Sequence, residues 1–207
     1  MPGKMRHAGR TRGKIFRPGS CARHRKRRPQ SRSRQEPSCA GGGAIYHGFM
    51  IEIVDLTYAR VGTADLQNTV RFATEILGLQ FVREEENRAY VRGDDRDHDI
   101  CYVAGAPSEH VLGFELADEQ ALRDSFDLLK KAGIEASHGT DRECDDRRVQ
   151  QFITFKDPTG NSFDLTVRPH RATRRYFPTR DAGINGFSHV GLRTSDARRD
   201  EAFWTTH

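Results

Sequence analysis

Two side chains in this sequence have the type and setting to hold a metal ion or move a proton, Asp164 and His189. Asp164 follows the turn Asp157-Pro158-Thr159-Gly160-Asn161, where proline fixes one φ and glycine tolerates a positive one. The runs on either side, beginning at Val149 and ending at Leu165 and beyond, read as the two strands of a hairpin. On the returning strand Phe163, Leu165 and Val167 share one face, and Asp164 and Thr166 share the other. His189 lies in Phe187-Ser188-His189-Val190-Gly191-Leu192, where alternation sends Val190 and Leu192 to a core side and His189 to the opposite side. Carboxylate and imidazole are acid–base groups and ligands of divalent metals, but a lone carboxylate or a lone imidazole makes a poor Fe²⁺ or Zn²⁺ site. Asp164 as a hydrogen-bonded acid and His189 as an ordinary strand histidine are the plain alternatives. The four cysteines, Cys21, Cys39, Cys101 and Cys144, show no CxxC or paired spacing, which reads as reduced thiols of a cytosolic protein.

The elements that must position these groups repeat. Leu56 to Val61 reads as a strand with Thr57, Ala59 and Val61 on one face and Tyr58 and Arg60 on the other. Thr63 or Asp65 caps a helix carrying Leu66, Val70, Ala73 and Leu77, which Gly78 terminates. Short strands follow at Phe81-Val82, Ala89 to Arg92 and Asp99 to Val103. His110 to Leu116 is a further strand, and Asp118 caps a second helix with Leu122, Phe126 and Leu129 inward and Gly133 at its stop. Strand, helix and two or three strands, twice over, predict an α+β fold of paired βαβββ modules across residues 50–167. Residues 168–186, with five arginines, read as a linker. After it, His189 to Asp196 aligns without gaps to Tyr58 to Asp65, so residues 187–207 read as the start of a second such domain.

The hairpin Asp157 to Leu165 at the end of this doubled module resembles the vicinal-oxygen-chelate superfamily of glyoxalases, bleomycin-resistance proteins and type I extradiol dioxygenases. The resemblance implies a cupped sheet whose metal ligands are a His on the first strand, a His or Glu on the fifth, and the acid after the hairpin. The corresponding places here are Tyr58, a position at or next to Val111, and Asp164; His110 is one residue off and points to the other face. His189-Val190-Gly191-Leu192, followed by Phe203-Trp204-Thr205-Thr206-His207, is similar to the catalytic half of extradiol dioxygenases of the kind that opens 2,3-dihydroxybiphenyl. That likeness implies a metal-free front domain and a rear domain carrying Fe(II) on two histidines and a glutamate, which would open catechol-type aromatic diols with O₂. His189 would be the first metal ligand and Asp164 a weak candidate. The sequence stops at His207, before the other donors would occur, so the expectation is an incomplete site, no catalytic residues and no stably bound Fe(II) in this chain. A metal-free small-molecule binding protein of the bleomycin-resistance kind is the alternative, as is a glyoxalase-like lyase or isomerase that shares Asp164 between chains.

Charge divides the chain sharply. Residues 1–49 carry thirteen Lys or Arg against one acid, Glu36, whereas residues 50–207 carry 21 basic and 28 acidic residues, a net of −7 in a chain at +5. The tail has almost no large apolar residues and reads as disordered, with Met50 the expected native start. The acidic folded part gives no electrostatic case for nucleic acid. No apolar run reaches the roughly 18–20 residues of a membrane span. A cytoplasmic homo-oligomer is expected, because Ala202, Phe203 and Trp204 form an apolar helix face that needs a cover.

Overall fold

The computed structural model describes residues 50–179 and 183–207; the expected basic tail therefore lies outside the described residues. The elements run β1 (Asp55–Thr63), α1 (Leu66–Arg71, continuing as a wider turn over Phe72–Ile76), β2 (Gln80–Glu85), β3 (Arg88–Arg92), β4 (Ile100–Ala104), β5 (His110–Glu115), α2 (Glu119–Lys131), β6 (Ala136–His138), α3 (Asp141–Arg147), β7 (Val149–Lys156), β8 (Ser162–Pro169) and α4 (Ala197–Thr206). They build one eight-stranded sheet in the order β2-β3-β4-β1-β5-β8-β7-β6. Each half closes on a parallel pair, β1 with β4 and β5 with β8, and the halves meet in the antiparallel β1–β5 pair. The two βαβββ units thus merge into a single curved sheet.

Caps and stops fall where the residue chemistry requires them. Asp65 accepts from Asn68 N–H at the start of α1 and Asp118 from Ala121 N–H at the start of α2. Gly78 and Gly133 take positive φ just beyond the two helices. One face of the sheet is covered by α1, α2 and α4. There Leu122 and Leu129 of α2 pack on Leu112, Phe163, Leu165 and Val167, while Ala73 of α1 packs on Val91 and Tyr102. Each fully buried aliphatic side chain of this kind contributes roughly 1.5–3 kcal/mol.

Three local features depart from the sequence expectation. A bulge in β1 between Leu56 and Tyr58 breaks the alternation, so Thr57 turns with Tyr58 toward the hollow face and its hydroxyl meets that of Thr166 at 2.7 Å. The second unit also contains α3, which packs over the hollow face through Cys144 against Tyr58, Val149 and Phe152. Finally, Phe187 to Leu192 forms no strand. Val190 packs on the core, but Leu192 is 40% exposed, because the described residues supply no neighbouring strand to pair with this segment.

The segment is nonetheless tied to the β7–β8 hairpin. Asp157 Oδ1 accepts from Gly160 and Asn161 N–H, both at 2.8 Å, and Gly160 has φ +99, so the turn is rigid. From that turn, Asn161 Nδ2 donates to Arg193 O at 3.2 Å and Thr159 Oγ1 bonds Asp200 and Ser195. Asp196 caps α4 as Asp65 caps α1, and Trp204 meets Phe163 edge-on at 4.7 Å.

Candidate functional site

Tyr58, Gly113 and Asp164 stand in register across β1, β5 and β8 on the hollow face. Tyr58 and Asp164 are two of the positions where the resemblance places metal ligands; the fifth-strand residue that stands between them in register is Gly113, with Val111 two residues along on the same strand. Of the three in register, only Asp164 carries a carboxylate. A Cβ on Gly113 would lie 2.8 Å from Tyr58 Cε2 and Cζ, so the missing side chain is what lets the phenol ring cross β5. The ring then delivers its hydroxyl to Asp164: Tyr58 O–H donates to Oδ2 at 2.8 Å.

The same oxygen accepts from Arg147 Nε at 2.7 Å. Arg147 comes from α3, whose start is fixed by a capping box in which Thr140 and Glu143 satisfy each other's backbone N–H. Its guanidinium lies 4.1 Å over the Phe152 ring. Burial lowers the proton affinity of this guanidinium, but the attraction of Asp164 outweighs it and Arg147 stays charged. Burial, reinforced by the Asp164 charge, pushes the Tyr58 hydroxyl well above its ordinary range, so Tyr58 remains a donor. Both Tyr58 and Asp164 are wholly buried.

A histidine that the sequence did not single out completes the hollow. His98 stacks on Tyr58 with centroids 5.7 Å apart and meets Tyr90 edge-on at 5.0 Å. Burial lowers its pKa, leaving the ring neutral; with Nδ1–H assigned toward Asp97 Oδ2 at 3.1 Å, Nε2 is an acceptor without a partner among the described residues. Asp97 is shared with Arg83 Nη1 at 2.7 Å, and Arg83 lies 3.9 Å over the Tyr90 ring. Burial raises the Asp97 carboxyl, but the hydrogen bonds from His98 and Arg83 prevail and hold it well below its ordinary value.

His110 turns away, as its parity requires. It shares the face of Leu112, and its Nε2 meets Asn161 Oδ1 at 3.1 Å. His189 is exposed and its Nδ1 meets Ser188 Oγ at 3.0 Å. Among the described residues, no group of three or more His, Cys, Asp or Glu side chains could hold a metal ion. The Tyr58–Gly113–Asp164 row does not fit Fe(II): its one carboxylate already faces a guanidinium and a phenol, and its middle position has no side chain. Cys101 and Cys144 are free thiols, both buried. Thr140-x-x-Glu143 was the sequence signal that could have revealed α3; nothing local to Arg147 announced its partner.

A doubled βαβββ sheet with an acid at the hollow end of its last hairpin defines a glyoxalase-like class of fold. The chain belongs to the Glyoxalase/Bleomycin resistance protein/Dioxygenase superfamily, whose family model matches residues 55–165. Among curated relatives, an iron-dependent extradiol dioxygenase of Rhodococcus jostii (strain RHA1) is 30% identical over 161 residues, covering 73% of this chain and 52% of that protein. A 1,2-dihydroxynaphthalene dioxygenase of Sphingobium xenophagum is 28% identical over 164 residues, covering 75% of this chain and 55% of that protein. A solved catechol 2,3-dioxygenase superimposes with a TM-score of 0.68 at 25% identity, over 76% of this chain and 55% of that one. The chain spans about half the length of the curated relatives it matches. No helix among the described residues is long and apolar enough to cross a membrane.

Proposed function

We propose that this chain supplies the non-catalytic front module of an iron-dependent extradiol ring-cleaving dioxygenase acting on catechol-type diols in the cytoplasm. Residues 50–167 form that module, residues 168–186 the linker, and residues from 187 onward the opening of the iron-bearing module, with His189 as its first ligand. The similarity to extradiol dioxygenases supports the reaction class. The single observation that carries the division of labour is the Tyr58–Asp164–Arg147 cluster, in which a fixed cation neutralises the only acid of the front ligand row.

The front module then acts as a mount. Its hairpin tip, through Thr159 and Asn161, holds residues 193–200, and its aromatic face holds α4. Iron, where a complete donor set binds it, supplies a Lewis acid that orients the diol and O₂. Self-association of the chain as a homo-oligomer is part of the same proposal, since Trp204 remains 38% exposed on α4.

The test joins residues 50–196 to the remainder of the Sphingobium xenophagum relative, loads Fe(II) without oxygen, and assays O₂-dependent opening of 1,2-dihydroxynaphthalene. Turnover that His189→Ala abolishes and Asp164→Asn spares is expected. Turnover indifferent to His189, or an iron-loaded graft that is inactive, would contradict the assignment.

A further inference from the structure

The short helix α3 spans the hollow from one side of the sheet to the other. Its Arg147 reaches β8, where Nε donates to Asp164 Oδ2 at 2.7 Å. The preceding residue, Asp146, reaches β3: its carboxylate pairs with Arg88 and its carbonyl accepts from the Tyr90 hydroxyl at 3.1 Å. In the sheet, β5, β1 and β4 lie between those two strands. Tyr58 of β1 and Cys101 of β4 therefore belong to the floor beneath the helix. Tyr102 packs with Ala73 and Leu79 on the opposite, helix-covered face, so Cys101 points into the hollow, in register with Tyr90 and Arg60. Cys101 is wholly buried.

What holds α3 down is almost entirely polar. Asp141 to Arg147 contains no aliphatic or aromatic side chain, and only Cys144 is buried. Further pairs join Arg148 to Glu85 at 3.0 Å and Arg142 to Glu86 at 3.5 Å. Water replaces such contacts far more readily than it replaces apolar packing, and segments held this way open first. The closed arrangement also leaves Asp164 Oδ1, Arg60 Nη1, Arg88 Nε and His98 Nε2 buried without a hydrogen-bond partner among the described residues. Each carries a desolvation penalty that hydration relieves. The helix is pinned at both ends, since Gly139 N–H donates to Phe152 O at 3.0 Å and His170 N–H to Arg148 O at 2.8 Å. At the second pin Arg148 has φ +54, the left-handed region that a side chain occupies at a cost.

We infer that α3 is a hinged lid: residues 140–147 lift from the hollow as a unit between these two pins while the eight-stranded sheet stays folded, giving small solutes access to Cys101 and Tyr58. The inference is independent of the ring-cleavage reading.

The experiment takes the full chain carrying Cys21→Ser and Cys39→Ser. It is alkylated with iodoacetamide over a series of low urea concentrations, followed by mass spectrometry, beside amide hydrogen exchange. The Cys101 and Cys144 thiols are expected to react with a urea dependence no more than about a third of that of global unfolding, while the Cys101 and Leu165 amides stay protected until the sheet unfolds. Asp146→Asn weakens the tie to Arg88 and is expected to speed alkylation of both thiols about tenfold or more. Leu129→Ala, in the core on the other face, is expected to speed exchange at Leu165 about thirtyfold or more and to leave both alkylation rates unchanged. A Cys101 thiol that is inert, or that reacts only in step with global unfolding, would overturn the lid. So would alkylation that Leu129→Ala accelerates as much as the Leu165 amide, or that Asp146→Asn leaves unchanged.

Discussion

Removing the Arg147 side chain should destabilise the fold far more than removing the charge it faces. Asp164 is wholly buried and its Oδ2 takes both Arg147 Nε at 2.7 Å and the Tyr58 hydroxyl at 2.8 Å, while Oδ1 has no partner among the described residues. Arg147→Met therefore leaves a buried carboxylate with one phenol donor, a change that costs about 3–5 kcal/mol when a buried pair is broken from one side. Asp164→Asn is milder. The amide oxygen still accepts from Tyr58, and the guanidinium keeps its seat over Phe152 and a margin of solvent exposure, 13% of its side chain. A loss of about 1–3 kcal/mol follows for that variant. Because each single change strands the other partner, the double variant should cost less than the sum, with a coupling of about 2 kcal/mol or more. Urea unfolding of the four proteins at pH 7, followed by intrinsic fluorescence, measures all three quantities. Additive losses, or an Arg147→Met loss below about 1 kcal/mol, would refute the pairing as the organiser of the hollow.

Gly113→Ala places a methyl 2.8 Å from the fully buried Tyr58 ring, which has nowhere to move, and should cost about 1–3 kcal/mol in the same unfolding assay; a neutral result would show that the ring is not wedged across β5. Burial pushes Asp99 up to about 7, with the Gly93 N–H pulling the other way and Asp94 adding to the rise. Its folded carboxyl thus holds a proton more tightly than the unfolded one, at 3.8, so its stabilisation is complete below that value and is lost as pH rises through 7. The loss is of the order of 2–4 kcal/mol, and Asp99→Asn should flatten stability between about pH 4 and 7; an unchanged slope would count against it. Trp204→Ala removes the edge-on contact with Phe163 and should speed amide exchange in α4 about tenfold or more while leaving β5 and β8 protected.

Much of this architecture was legible because it rests on local rules. Asp65 and Asp118 cap, Gly78 and Gly133 stop, and the parity of β8 separates Phe163, Leu165 and Val167 from Asp164. Parity also placed His110 on the wrong face for the hollow. What was not legible depends on contacts distant in sequence. The bulge at Thr57 answers to Thr166, 109 residues away, and the expected face of Thr57 was therefore wrong. That Gly113 stands opposite Tyr58 follows from the same bulge, which sets the register with β1. Alternation at Phe187 to Leu192 predicted a strand, but a strand needs a partner, and hydropathy along one segment does not report whether a partner exists. Arg147 was unreadable as a site residue because α3, which carries it, is too short and polar to show a periodic face.

The most direct measurement is an anaerobic Fe(II) titration of the full chain beside its Asp164→Asn variant. If Arg147 is the cation that Asp164 serves, neither protein shows a tight site in the front hollow and the two isotherms coincide. One equivalent of iron bound by the parent chain and lost in Asp164→Asn would contradict the account.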